Sequence, residues 1–309
     1  MLEDIKIRSL NTAVLLIVFN RQETTRRVFE AIRKAKPPKL YIAADGPRKN
    51  IDGEKEKVQS VRDYVISQID WKCEVSTLFR KENFGCKFAV SIAINWFFDN
   101  EEMGIILEDD CVPNQDFFWF CEELLDFYAN DSRISQISGS NLIKNYKIDN
   151  YSYHFSNFGS IWGWASWRRA WNNYDIDMKG WPEIRENGYL KSAIVNKNEY
   201  KSRVNDFEKT YHDKIDTWDY QWIYSRLINR GLIIIPSVNL MSNIGLDNNA
   251  THTIGSKKSL HDMKTYKLSF PLVHPKHLLP DIRFEALIHK AKKNSLIRRV
   301  LNRIIKLIK

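Results

Sequence analysis

Ala13 to Asn20 is a short, unbroken apolar run, the pattern of a strand buried on both faces. Gln22 to Ala35 follows with Val28, Ile32 and Ala35 at helical spacing. The pair then repeats. Lys39 to Ala44 reads as a second strand ending in the turn signal Asp45-Gly46-Pro47, and Glu54 to Ile69 carries Val58, Val61 and Val65 on one helical face. Val75 to Phe79, Phe84 to Phe98 and Gly104 to Leu107 extend the alternation to a third strand, a third helix and a fourth strand. Strands and helices in turn predict an α/β fold, a mostly parallel central sheet with helices on both faces.

Beyond the fourth strand, Asp116 is placed to cap an aromatic-rich helix from Phe117 to Tyr128, and Ile134 to Ile137 reads as another strand. From about Leu142 the periodicity weakens and Trp, Tyr and Asn accumulate. Only Asp219 to Asn229 (helix), Leu232 to Ile235 (strand) and the polar loop Asn243 to Gly255 stand out. The expected division is a strand–helix half at 1–141, a second half of the same domain at 142–280 that builds the ligand-facing walls, and a tail at 281–309. No Gly/Ser/Pro-rich linker separates them.

Composition narrows the class. With 309 residues, 43% hydrophobic and 28% charged, the chain can bury a full core. Its formal net charge of +9 would fit a nucleic-acid partner, but the charge is localised. Residues 290–309 hold eight Lys and Arg and no acid, so the body carries only about +1 and nucleic acid is not expected. Cys73, Cys86, Cys111 and Cys121 show no paired metal-ligand spacing and are expected to be buried thiols in a reducing, cytoplasmic compartment. No apolar run approaches the roughly 18 residues of a spanning helix, and no signal peptide is expected.

The chemistry should lie at the carboxyl ends of the strands, where open α/β sheets bind ligands. Four such ends are polar: Asn20-Arg21, Asp45-Gly46, Arg80 to Asn83, and Glu108-Asp109-Asp110. Three adjacent carboxylates after a buried strand repel one another unless a cation neutralises them, and a hard divalent ion on oxygen ligands would do so. The chain has no phosphate-binding G-x-x-x-x-G-K-[ST] loop, dinucleotide G-x-G-x-x-G, H-E-x-x-H or nucleophile elbow, which disfavours P-loop hydrolysis, dehydrogenation and serine hydrolysis.

The series Val14 to Arg21, Ala44-Asp45-Gly46, Ile106 to Asp110 and Asp116-Phe117-Phe118 resembles inverting GT-A glycosyltransferases, with the N-acetylglucosaminyltransferase I family as the nearest likeness. The likeness covers about the first half well and the second half only through short motifs. It implies a GT-A fold, a nucleotide-diphosphate sugar donor, UDP-linked by preference, and a Mn²⁺ or Mg²⁺ cofactor held by Asp110, with Glu108 and Asp109 toward the ribose or sugar. It implies further that Asn20 and Arg21 meet the donor, Arg21 at its phosphates, that Asp45 accepts the uracil imide N–H, and that Lys87 lies near the nucleotide. Trp162-Gly163-Trp164 resembles the wall of the donor and acceptor sites, and His252 a late histidine on the metal or diphosphate. Asp219, within Trp218-Asp219-Tyr220-Gln221-Trp222, resembles the catalytic-base segment, although its tryptophans stand one residue further apart. Asp219 also stands where a helix N-cap would be, and Asp216 is the alternative base.

Leu296, Ile297, Val300, Leu301, Ile304, Ile305 and Ile308 recur at helical spacing among basic residues. Such a basic amphipathic helix predicts peripheral contact with an anionic membrane surface and so a glycan or lipid-linked acceptor. The competing readings are a sugar nucleotidyltransferase, which would release pyrophosphate, and a basic nucleic-acid-binding protein.

Overall fold

In a computed structural model, residues 10–143, 146, 150–245 and 262–291 are described. His252 and the basic stripe from Leu296 to Ile308 lie outside them. The first half follows its apolar pattern. Strands β1 (Val14–Val18), β2 (Lys39–Ala44), β3 (Glu74–Phe79) and β4 (Met103–Glu108) alternate with helices α1 (Gln22–Ala35), α2 (Glu54–Ser67) and α3 (Gly85–Asn100). β1 pairs in parallel with β2 on one side and β4 on the other, and β2 with β3.

Alternation along β1 explains why its pattern is continuous. Val14, Leu16 and Val18 join a core with Val28, Phe29 and Ile32 of α1 and Val61 and Val65 of α2. Leu15 enters the opposite core with Ile94 and Phe97 of α3. Each face of the strand is covered by a different set of helices, so neither can be polar.

After β4 come β5 (Cys111–Pro113), α4 (Gln115–Phe127), β6 (Ile134–Ser138), β7 (Tyr153–Ser156) and β8 (Trp164–Trp167). The short α5 (Arg168–Trp171), α6 (Trp181–Asn187) and α7 (Lys197–Tyr211) lead to α8 (Asp219–Ile228), β9 (Leu232–Pro236) and β10 (Met241–Asn243). One eight-stranded sheet runs in the order β3-β2-β1-β4-β8-β6-β9-β7, with β8 and β7 antiparallel to their neighbours. The fold is therefore α/β with a mostly parallel sheet that is continuous across both halves of the chain. No helix among the described residues is long and apolar enough to cross a membrane.

Several expectations are corrected. α4 starts two residues early, capped by Asn114, whose side chain accepts from the Phe117 N–H; Asp116 instead accepts from the Leu268 N–H at 2.8 Å. Asn243 lies in β10, paired with Cys111, and not in a loop. Cys73 and Cys86 are only partly buried, whereas Cys111 and Cys121 are fully so.

Candidate active site

A cleft of about 370 Å³ opens at the carboxyl ends of β1, β2, β3 and β4, across from the start of α8. Asn20, Arg21, Asp45, Glu108, Asp109, Asp110, Trp162 and Asp219 all line it. The first six converge because parallel strands deliver their carboxyl ends to one edge, while Trp162 comes from the segment before antiparallel β8 and Asp219 from the start of α8.

The acidic triplet is the electrostatic centre. Arg21 donates from Nη2 to Asp109 in a very short contact and to Asp110 at 2.9 Å, so one guanidinium offsets two of the three carboxylates. Burial works against the Arg21 charge, but the two carboxylates outweigh it and hold its pKa above the ordinary value. Glu108 has no such partner: its Oε1 is buried without a hydrogen bond. Burial first, then Asp110, Asp109 and Asp219, push its carboxyl up to about 8.

A divalent cation fits this donor set. The orphaned Glu108 oxygen and the Asp109 and Asp110 carboxylates are hard oxygen donors in consecutive positions, and Asn243 steadies Asp110 by donating from Nδ2 to its Oδ1 at 3.3 Å. Gly245 closes on the same carboxylate so tightly that a β-carbon there would collide with Asp110 Oδ2. Among the described residues no three His, Cys, Asp or Glu side chains converge as a ready cage.

The start of α3 is fixed by two carboxylates from elsewhere in the chain. Asp45 accepts from the N–H groups of Gly46, Phe84 and Gly85 and from the Asn83 amide, at 2.9 to 3.2 Å. Asp216 accepts from the N–H groups of Cys86 and Lys87 at 3.0 and 2.8 Å. Together they satisfy the donors that a helix leaves open at its first turn. Both oxygens of Asp45 are thereby occupied, so the acceptor foreseen for a uracil ring is already engaged by the chain. Asp216 also lines the cleft and, among the described residues, accepts from these two N–H groups alone, one on each oxygen.

Asp219 is the first residue of α8 and not its cap; Trp218 holds that position and makes no side-chain cap. The Thr217 hydroxyl donates to Asp219 Oδ1 in a very short contact, and among the described residues Oδ2 takes no partner. Thr217 therefore orients the carboxylate and leaves one oxygen available.

Three foreseen residues are placed differently. Trp164 is fully buried on β8, stacked on Trp218 at 5.8 Å and packed against Trp171 and Trp222, so it supports the cleft from behind. Lys87 does not line the cleft; its Nζ pairs with Asp213 at 2.7 Å. Gly163 also lies outside the lining and has a structural reason for being glycine: its φ is +58° and a β-carbon would collide with Met241 Cε. Trp162 remains the partly exposed aromatic of the wall.

Sequence reasoning did not single out Asn243 or Gly245. Their signal was a polar Asn two residues before a Gly, shortly after the apolar pair Leu240 and Met241, which is the pattern of a strand end. Nor did it single out Glu54, which is buried and accepts from the Asn20 amide at 2.9 Å and from the Arg48 N–H at 2.7 Å, tying the β1 end to the loop after β2.

No protein-family model matches the chain, and no curated protein sequence matches it. Solved structures give partial overlaps. A mannosyltransferase from Pyrobaculum calidifontis, PcManGT, in complex with GDP-Man and Mn²⁺, matches 52% of this chain and 45% of its own at 11% identity and a TM-score of 0.33. GalNAc-T7 with UDP, GalNAc and Mn²⁺ matches 55% of this chain and 38% of its own at 16% identity and a TM-score of 0.38. TarS 1–349 from S. aureus matches 74% and 58% at 8% identity and a TM-score of 0.39. The chain thus spans 38% to 58% of the length of these structures, and overlaps so partial leave the chemistry to be read from the cleft itself.

Proposed function

We propose that this chain is a metal-dependent, inverting glycosyltransferase that moves a sugar from a nucleotide-diphosphate donor to a hydroxyl of a glycan or lipid-linked acceptor. The observation that carries the reading is the division of one cleft into two chemically distinct walls. Glu108, Asp109, Asp110 and Arg21 stand at the ends of β1 and β4, and Asp219 stands on the facing helix start.

Asp110, with Glu108 and Asp109 beside it, would hold the Mn²⁺ or Mg²⁺, which when bound supplies Lewis-acid neutralisation of a leaving diphosphate. Arg21 brings a fixed positive charge to the same wall and suits donor phosphates. Asp219 Oδ2 takes the proton of the acceptor hydroxyl as it attacks the anomeric carbon, while the Thr217 hydroxyl keeps the carboxylate oriented through Oδ1. Trp162 offers an apolar ring face to a sugar. UDP is the favoured nucleotide on the sequence resemblance, and a peripheral membrane position through residues 292–309 suits a lipid-linked acceptor of a cell-surface polysaccharide.

A panel of nucleotide-sugars tested for Mn²⁺-dependent thermal stabilisation should single out one donor, which the protein then cleaves slowly to nucleoside diphosphate and sugar. Release of pyrophosphate from a nucleoside triphosphate and sugar phosphate would instead mark a nucleotidyltransferase.

A further inference from the structure

Residues 273–283 run along β7, the edge strand of the sheet. Asp281 N–H donates to the Phe155 carbonyl at 2.8 Å, and Ser152 N–H to the Val273 carbonyl at 2.9 Å. The segment leaves an open groove of about 260 Å³ bordered by Tyr151, Lys276, His277 and Arg283. Leu279 and Ile282, which also line it, are 71% and 72% exposed, and Val273 is exposed as well. Soluble surfaces seldom carry large aliphatic side chains so fully in water and so close together without a use.

The exposed charges beside them are basic. Lys276, Arg283 and Lys290 are exposed, as is His277, whereas the two acids of the stretch, Asp281 and Glu285, have largely buried side chains, Asp281 pairing with Arg283 Nε at 3.5 Å. Asp281 accepts from the Tyr146 hydroxyl and from the Arg283 and Phe284 N–H groups. Glu285 is buried and accepts from the Asn157 N–H at 2.7 Å and the Ser156 hydroxyl at 3.2 Å. Residues 282–291 are helical and lead directly into 292–309, a sequence without a single acid.

We infer that this face of the folded body docks on an anionic bilayer, Leu279 and Ile282 entering the headgroup region while Lys276, His277 and Arg283 meet lipid phosphates at the groove. Protruding aliphatic side chains ringed by cations are the composition that binds an interface through apolar burial and attraction to anionic lipid together. The inference rests on the surface alone and is independent of the donor chemistry proposed above.

The test is co-sedimentation of the full chain with vesicles of phosphatidylcholine alone and with one quarter phosphatidylglycerol. Wild type should bind the anionic vesicles and the double variant Leu279→Ser/Ile282→Ser should bind them roughly 10- to 100-fold more weakly. Val195→Ser, which removes another exposed aliphatic side chain far along the chain, should bind as wild type. Lys276→Glu/His277→Glu, a second variant confined to exposed side chains, should also lose binding and lose its preference for the anionic lipid. Mn²⁺-dependent stabilisation by UDP in solution, unchanged in all variants, reports folding and the donor site separately. Wild type that ignores both vesicles, or a double variant that binds as wild type, overturns the inference. So does a wild-type dimer that the double variant dissociates while vesicle binding stays constant, because the face would then join two copies of the chain.

Discussion

The two walls of the cleft are built on opposite principles. The wall at the ends of β1 and β4 concentrates charge: three consecutive carboxylates, two of them answered by Arg21 and one buried without a partner. The facing wall rests on apolar mass. Behind Asp219, Trp164, Trp171, Trp218 and Trp222 form one buried block against Leu15 and Ile106 of the central strands. The first wall accumulates electrostatic stress that a ligand can relieve, while the second holds a single carboxylate still. Binding energy should therefore be sensitive to the first and the transfer step to the second.

Changing Asp219 should have the largest effect. Asp219→Asn keeps the size and the contact with Thr217 but cannot take a proton, so transfer to an acceptor should fall roughly 10²- to 10⁴-fold with donor affinity and melting temperature nearly unchanged. Near-normal turnover would strip the second wall of its catalytic part. Next comes the mass behind it: Trp164→Ala should cost about 3–5 kcal/mol in denaturant unfolding, because a wholly buried ring is lost from a packed block. A loss under about 1 kcal/mol would mean that the tryptophans do not brace the wall.

Asp216→Asn provides a smaller contrast. It should lower stability by about 1 kcal/mol, as the loss of a charged cap on α3, and reduce transfer far less than Asp219→Asn. The smallest effect concerns a region away from both walls. His154 on β7 is buried, and burial lowers its pKa to about 4, so the folded protein resists its protonation. A depressed histidine contributes nothing unfavourable above its unfolded value near 6.5, and stability falls as pH drops from there toward 4. His154→Phe should therefore flatten the decline in melting temperature over that window and leave values near pH 7.5 little changed.

The sequence made the charged wall legible because β1, β2 and β4 are apolar on both faces and end abruptly in polar residues. β6, which Ile134 and Ile137 make legible, and β7 and β8, which the apolar pattern does not reveal, are equally buried but carry polar side chains inward. Gln136 donates to the Ser160 carbonyl and accepts from Trp222 Nε1, and Ser166 donates to the Ser135 carbonyl, so these two buried polar side chains interrupt the hydrophobic signal while their hydrogen bonds are made inside the protein. The same difficulty affected single residues. Trp164 and Lys87 were placed by motif, and neither burial nor an ion pair to Asp213 can be read from a motif. Asp45 lines the cleft, but its saturation by four donors depends on how the chain brings Asn83, Phe84 and Gly85 back to it.

Isothermal titration of UDP into the protein with Mn²⁺ and with chelator, in wild type and in Asp110→Ala, tests the central claim most directly. The account predicts that wild type binds UDP only with Mn²⁺, and that Asp110→Ala loses this dependence together with at least tenfold in affinity while remaining folded. Equal UDP affinity with chelator, or an Asp110→Ala protein that still binds UDP tightly in a Mn²⁺-dependent way, would contradict it.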